Sequence, residues 1–215
     1  MAKNKLLGLL PLLLLPAFAH AQSALDVNVN FGSAWDSATG LGIDNTTFDT
    51  CVPNSVSTCQ ATPKLNGFFL GFGGDIMFRQ HLGVGAEVNF QPTHRDYGPF
   101  QYRQTFIDVN GIYEPLITKR AIVQLQGGLG SASTGFIISQ SGCAGTAVCS
   151  TSTSSVGSST HFQLHFGAGL QIALTDHFFV RPSFDLHYVP NLTDQFGRNV
   201  VPAATIAVGY HFGEH

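Results

Sequence analysis

Charged side chains are scarce in this chain. Asp, Glu, Lys and Arg make up 11% of its 215 residues, against roughly 25% in soluble domains. Tryptophan occurs once and methionine twice. The net charge is −3 and no segment carries a basic stripe, which excludes nucleic acid as a partner. No apolar run suffices for a membrane-crossing helix. The N-terminal run, Leu6 to Phe18, is about 13 residues, and a helix needs roughly 20. Low charge argues against an ordinary soluble domain, and the missing long run argues against a helical membrane protein.

Cysteine is sparse too: Cys51, Cys59, Cys143 and Cys149. Their spacings do not fit zinc-binding pairs and no His is near them in sequence, so a zinc site is disfavoured. Four cysteines allow three disulfide connectivities. The short spacings favour Cys51–Cys59 and Cys143–Cys149, each closing one loop, in a compartment that permits disulfides.

That compartment is read from the N-terminus. Met1-Ala2-Lys3-Asn4-Lys5 is a basic start, Leu6 to Phe18 an apolar core, and Ala19-His20-Ala21 an A-x-A cleavage site. Residues 1–21 read as a secretory signal peptide and 22–215 as one mature domain starting at Gln22. Loss of Lys3 and Lys5 leaves 8 basic and 13 acidic side chains, a formal charge of −5.

What the chain has in quantity is glycine (24) and phenylalanine (18), arranged in period-two alternation. Eight segments show it: Leu25 to Trp35, Gly67 to Phe78, Leu82 to Phe90, Arg103 to Glu114, Ala121 to Gly130, Thr160 to Leu174, Phe178 to Tyr188, and Ala204 to Phe212. The sixth is the most regular, with Phe162, Leu164, Phe166, Ala168 and Leu170 against His161, Gln163, His165, Gly167 and Gly169. The connections alternate between short, as at Phe78 to Leu82 and Leu174 to Phe178, and long, as at Trp35 to Gly67 and Gly130 to Thr160. Ser139 to Ser159, rich in Ser, Thr and Gly, reads as loop without a core of its own. Aromatics collect at the strand ends: Trp35, Phe68, Phe90, Phe162 and Tyr188 at one, Phe78, Tyr113, Phe178, Tyr210 and Phe212 at the other. Two aromatic girdles around an aliphatic band predict an all-β, eight-stranded antiparallel up-and-down transmembrane barrel. The rival is a soluble lipocalin-like barrel, apolar inside and polar outside. Two positions strain the pattern. Pro182 removes a ladder hydrogen bond, which predicts a bulge. Phe106 and Ile112 share the parity of Asp108, which predicts a bulge or interior apolar packing.

Eight alternating strands, short turns opposite long loops, and a last strand ending in Tyr210 and Phe212 resemble the small outer-membrane β-barrel family that includes the OmpA membrane domain and OmpX. The resemblance covers residues 22 to 212. It implies a bacterial outer-membrane location and contact with outer-membrane lipid. It also implies recognition of the Tyr210–Phe212 strand by the outer-membrane assembly machinery. Gly213-Glu214-His215 follow, where the family's final aromatic is usually last.

Inward parity collects Asp26, Asp75, Glu87, Arg103, Asp108, Arg181 and Asp185, with His161, His165, His187 and His211. Eight strands leave an interior that side chains just fill, so these groups read first as a polar plug, with Arg181 serving Asp26 or Asp75 and the upper His residues serving Asp185. A narrow conduit is the second reading: acids outnumber Arg five to two in the inward set, which would favour cations. Metal capture by His161, His165 and Asp185 or His187 is disfavoured, because an i, i+4 pair on a strand lies about 13 Å apart. An enzyme is the third reading. The lipid A deacylase PagL carries a His-x-Ser pair, and here His187-Tyr188-Val189 puts Val189 where the nucleophile belongs. The motif of the palmitoyltransferase PagP is not reproduced either. No catalytic residue, cofactor or metal ligand is assigned. The expected role is non-catalytic, in envelope structure or in binding a surface ligand at the loops.

Overall fold

The structure, a computed structural model, describes residues 24–35, 65, 67–97, 100–144, 148–190, 192 and 198–213. The signal segment, Cys51 and Cys59 lie outside the described residues.

Alternating sequence becomes alternating exposure. In β1 (Ala24–Ala34), Asp26, Asn28 and Asn30 are buried while Leu25, Val27 and Phe31 are exposed. The same two-faced pattern runs through β2 (Gly67–Arg79), β3 (Leu82–Phe90), β8 (Phe178–Tyr188) and β9 (Val200–Phe212). The remaining strands are β4 (Arg95–Tyr97), β5 (Phe100–Ile117), β6 (Ala121–Ala144) and β7 (Val148–Ala173). Each pairs antiparallel with its neighbour in the order β3-β2-β1-β9-β8-β7-β6-β5-β4, and β3 also pairs with β5, which closes the ring. β4 is a short ribbon on the outer end of β5, so the barrel wall has eight strands. The first and last strands meet at Leu25↔Phe212, beside the tight turns that follow β2, β5 and β7. That end is the periplasmic one, since short turns face the periplasm in this architecture.

The outer surface is apolar. Val109, Leu129 and Phe166 are 59%, 57% and 57% exposed, and the inside holds Asp, Asn, Gln and His. A lipocalin-like barrel would have the reverse, so the chain crosses a membrane with strands. Trp35, Phe68, Phe162 and Tyr188 stand exposed at one rim of this band and Tyr113, Phe178 and Phe212 at the other.

Two sequence expectations change, and a third, interior apolar packing in β5, is met. The stretch Gly130 to Thr160 is strand over most of its length: β6 and β7 run 24 and 26 residues and pair out to Ala144↔Val148. Its Ser/Thr/Gly composition carries no period-two signal because neither face of it is buried in lipid. At Pro182 there is no bulge. The β7–β8 ladder has no partners between Gly169↔Ser183 and Ile172↔Val180 yet keeps its register, and Pro182 stays opposite Ile206 on β9. In β5 both Phe106 and Ile112 are buried inside, and the register shift falls lower, between Tyr113 and Leu116.

Glycine lets side chains of one strand lie against the backbone of the next. A Cβ at Gly128 would lie 2.0 Å from the Val109 carbonyl oxygen, whereas one at Gly135 would meet nothing within 4 Å. Gly128→Val should therefore cost about 3 kcal/mol through overpacking, and Gly135→Ala nearly nothing. Urea midpoints of the refolded variants in detergent check this. Equal midpoints would show that the wall yields.

Candidate functional site

The lumen is the candidate site, and it is layered. At the periplasmic end Asp26 on β1 pairs with His211 Nδ1 on β9 and accepts from Gln171 Nε2 on β7 at 3.3 Å. Above it, Arg181 on β8 donates to Asp75 Oδ2 on β2 at 2.6 Å and to Gln124 Oε1 on β6 at 2.5 Å. Its guanidinium lies 5.8 Å from the Phe179 ring centre. All three of these polar residues are buried, so a guanidinium, a carboxylate and an amide satisfy one another away from water.

The middle layer draws on five strands, β3 and β5 to β8. Asp185 accepts from Gln126 Nε2 at 2.9 Å and contacts His165 Nε2 at 3.2 Å, while His165 Nδ1 lies 2.9 Å from Asn110 Oδ1. Asp108 accepts from Gln163 Nε2 at 2.5 Å. Glu87 accepts from Asn89 on its own strand. The His187 ring is sandwiched between Phe106, 4.5 Å away, and His165, 4.7 Å away, with its Nδ1 3.9 Å from Asp108. Stacked and nearly parallel, the rings fill the lumen's width.

Toward the outer end the interior turns apolar. Leu65, Phe69, Tyr102, Phe106, Ala132, Phe136, Val189, Leu192 and Val201 form one buried cluster. Leu65, Val189 and Leu192 come from outside the strands and are fully covered, so they cap the barrel. The cavity between Phe69, Phe106, Asp185 and His187 is about 10 Å³, no more than the space of a single water.

The structure brings Asp75 to Arg181, Asp26 to His211, and Asp185 to His165. It does not join His161 to them: His161 Nε2 contacts Ser159 Oγ at 2.8 Å. Arg103 is corrected. It is exposed on the outer face of β5, because Tyr102, Gln104, Phe106 and Asp108 take the inward positions. The sequence reading carried the inward face to Arg103 across a segment whose parity Phe106 blurs. The interior network read from the sequence also left out the amides Gln104, Gln124, Gln126, Gln163 and Gln171 and the acid Glu114, all inward by parity. Among the described residues, no group of three or more His, Cys, Asp or Glu side chains is placed to hold a metal ion.

A closed eight-stranded sheet, apolar outside and polar within, defines a bacterial outer-membrane barrel. The chain belongs to the outer membrane protein beta-barrel domain family, whose model matches residues 6–212. Solved structures agree on the fold. The attachment invasion locus protein Ail of Yersinia pestis is 16% identical, with 89% of this chain and 99% of that chain covered and a TM-score of 0.50. Ail in complex with the heparin analogue sucrose octasulfate gives 13%, 89%, 99% and 0.53. Neisserial surface protein A gives 13%, 88%, 98% and 0.50. No curated protein matches the chain.

Arg181 is the one arginine among the buried polar residues. Arg181→Leu should destabilise the folded barrel by about 3–5 kcal/mol, because it leaves the Asp75 carboxylate buried without its cation. Adding Asp75→Leu should restore much of the loss. Urea midpoints decide it, and an unchanged midpoint for Arg181→Leu would sink the assignment.

Proposed function

We propose that the protein is a non-catalytic surface-interaction barrel: the lumen holds the wall together, and the β6–β7 hairpin meets the ligand. The observation that carries this reading is the filled lumen. A void of about 10 Å³ beside stacked His187 and Phe106, with an apolar cap above, argues against a solute path through the described residues.

The hairpin is built to project. Phe162 marks the outer edge of the apolar band opposite Ser131, and β6 continues to Ala144, about 40 Å further along the strand at roughly 3.3 Å per residue. β8 ends at Tyr188, opposite Leu164, so among the described residues Val148 to Gln163 pair with β6 alone and leave one backbone edge free. Ser152, Thr153, Ser154, Ser155 and Ser158 are exposed along it and offer hydroxyls to a polar ligand. Exposed Arg95, Arg103 and Arg198, with His94, add cations on the outer side. An anionic ligand suits that set, and Ail, a barrel of the same fold, takes a sulfated heparin analogue. The register sets Cys143 opposite Cys149, the placement a disulfide across the tip requires. Export through residues 1–21, and recognition of the Tyr210 and Phe212 strand by the assembly machinery, complete the reading.

Planar-bilayer recording separates this from a conduit. Protein shown to be folded by heat-modifiable gel mobility should leave the membrane silent. Steady cation-selective openings would overturn the plug and make Asp108 and Glu87 the residues to mutate. Replacing residues 139–155 with a tight turn should preserve the mobility shift and lower the attachment of expressing cells to heparin-coated surfaces. Equal attachment would count against the hairpin.

A further inference from the structure

The periplasmic end carries a feature that neither the plug nor the hairpin uses. The turn after β5, Thr118 to Arg120, and the turn after β7, Leu174 to His177, enclose a cavity of about 70 Å³. Both turns are fixed in place. The Thr118 hydroxyl donates to the Ala121 carbonyl at 2.7 Å and accepts from its amide at 3.0 Å. The Thr175 hydroxyl accepts from the amides of His177 and Phe178 at 3.3 and 3.0 Å. Between the turns, the Ala173 amide donates to the Arg120 carbonyl at 2.9 Å. The cavity is therefore a formed recess, not a gap between loose loops.

Its walls differ in chemistry. Ile122 and Phe179, with Gln171 and His211, make a buried floor on the lumen side, and Phe178, 50% exposed, stands on the lipid side. Lys119 and Arg120 form the exposed rim. The ion pairs among the described residues all lie inside the barrel, and none engages Lys119 or Arg120. Nearby, Leu116 and Leu174 are 55% and 62% exposed in the band that meets hydrocarbon. A further exposed cation, Arg79, closes β2 at the same end, and Asp176, the one exposed carboxylate there among the described residues, lines the recess itself. The recess thus reaches the membrane side at Phe178 and carries two cations against one carboxylate, Asp176, at its mouth.

We propose that this recess is a headgroup site for an anionic phospholipid of the inner leaflet, with the phosphate held by Lys119 and Arg120 and the start of an acyl chain lying along Phe178. Only a ligand joined to the bilayer satisfies both walls at once. A free phosphate would use the rim and leave the apolar side empty. An acidic peptide would meet the cations but has no part suited to the lipid side. Each cation near an anionic lipid surface contributes an attraction that salt weakens.

The purified protein, delipidated and then equilibrated with mixed phosphatidylcholine and phosphatidylglycerol micelles, tests this through the lipid retained in native mass spectra. Wild type should keep phosphatidylglycerol in preference to phosphatidylcholine at low salt. Lys119→Gln with Arg120→Gln should lower that retention about tenfold, with heat-modifiable mobility unchanged. Arg103→Gln, at the opposite end, should leave retention as it is. Equal retention of the two lipids overturns the site, and so does an equal loss in Arg103→Gln. Binding of polyglutamate without lipid preference would assign the rim to an acidic peptide and overturn the proposal as well.

Discussion

The structure depends on one constraint: in hydrocarbon, every backbone amide and carbonyl must find its partner within the chain. An open sheet fails at its edges. The chain meets the requirement by pairing β1 with β9 and β3 with β5, so the sheet has no free edge at membrane depth. Closure at eight strands then fixes the rest. The circle is too narrow for water to fill, so the inward half of every strand must pack against its opposite number. Glycines such as Gly128 and Gly130, whose Cβ would meet the backbone carbonyls of Val109 and Ile107, are where this crowding is greatest.

Narrowness also explains the chemistry of the interior. Asp26, Asp75, Asp108, Glu114 and Asp185 are all buried, and Arg181 is the one guanidinium beside them. Direct ion pairing cannot serve five acids with one arginine. The structure uses neutral donors instead: Gln124 and Gln171 at the lower acids, Gln126 and Gln163 at the middle ones, with His165 and His211 completing the set. Glutamine reaches across the lumen from the wall and donates without adding a charge that itself needs compensation. Four of the five acids thus take donors from the wall, though Asp108 Oδ2 has no hydrogen bond among the described residues, and a count of inward acids is weak evidence for cation passage.

How much was legible in the sequence follows the same physics. Leu25 to Trp35 was readable as β1 because lipid on one side and a polar lumen on the other force strict alternation. The fold class, the lipid face and the Asp75 and Arg181 positions come from that signal. Where the two-sided environment ends, the signal ends. β6 and β7 beyond the membrane meet water on both sides, so Ser, Thr and Gly recur without alternation and the strands pass for loop. Arg103 was misplaced for the opposite reason: Phe106 and Ile112 are apolar and inward, so hydrophobicity in β5 does not mark the outside. Parity counted from Asp108 would have placed Arg103 outward. Pro182 passes without a bulge because its neighbour β9 keeps the strand in register from the other side.

The division of labour between wall and surface then follows from geometry. A barrel of this width cannot carry a binding pocket in its interior without losing the contacts that hold it closed. The middle layer illustrates this: removing the His187 ring to open a path would also unstack Phe106 and His165, and with His165 would go the support of Asp185. Recognition is pushed to the two ends, where strands can lengthen or turns can vary without touching the ring closure. The outer end does this by extending β6 and β7 as a paired ribbon that satisfies its own backbone along one side. The inner end does it with turns pinned by Thr118 and Thr175, whose side chains replace the hydrogen bonds that a longer loop would make. Both ends therefore vary in sequence at little cost to the wall, and it is there that differences in activity among barrels of this width must be sought.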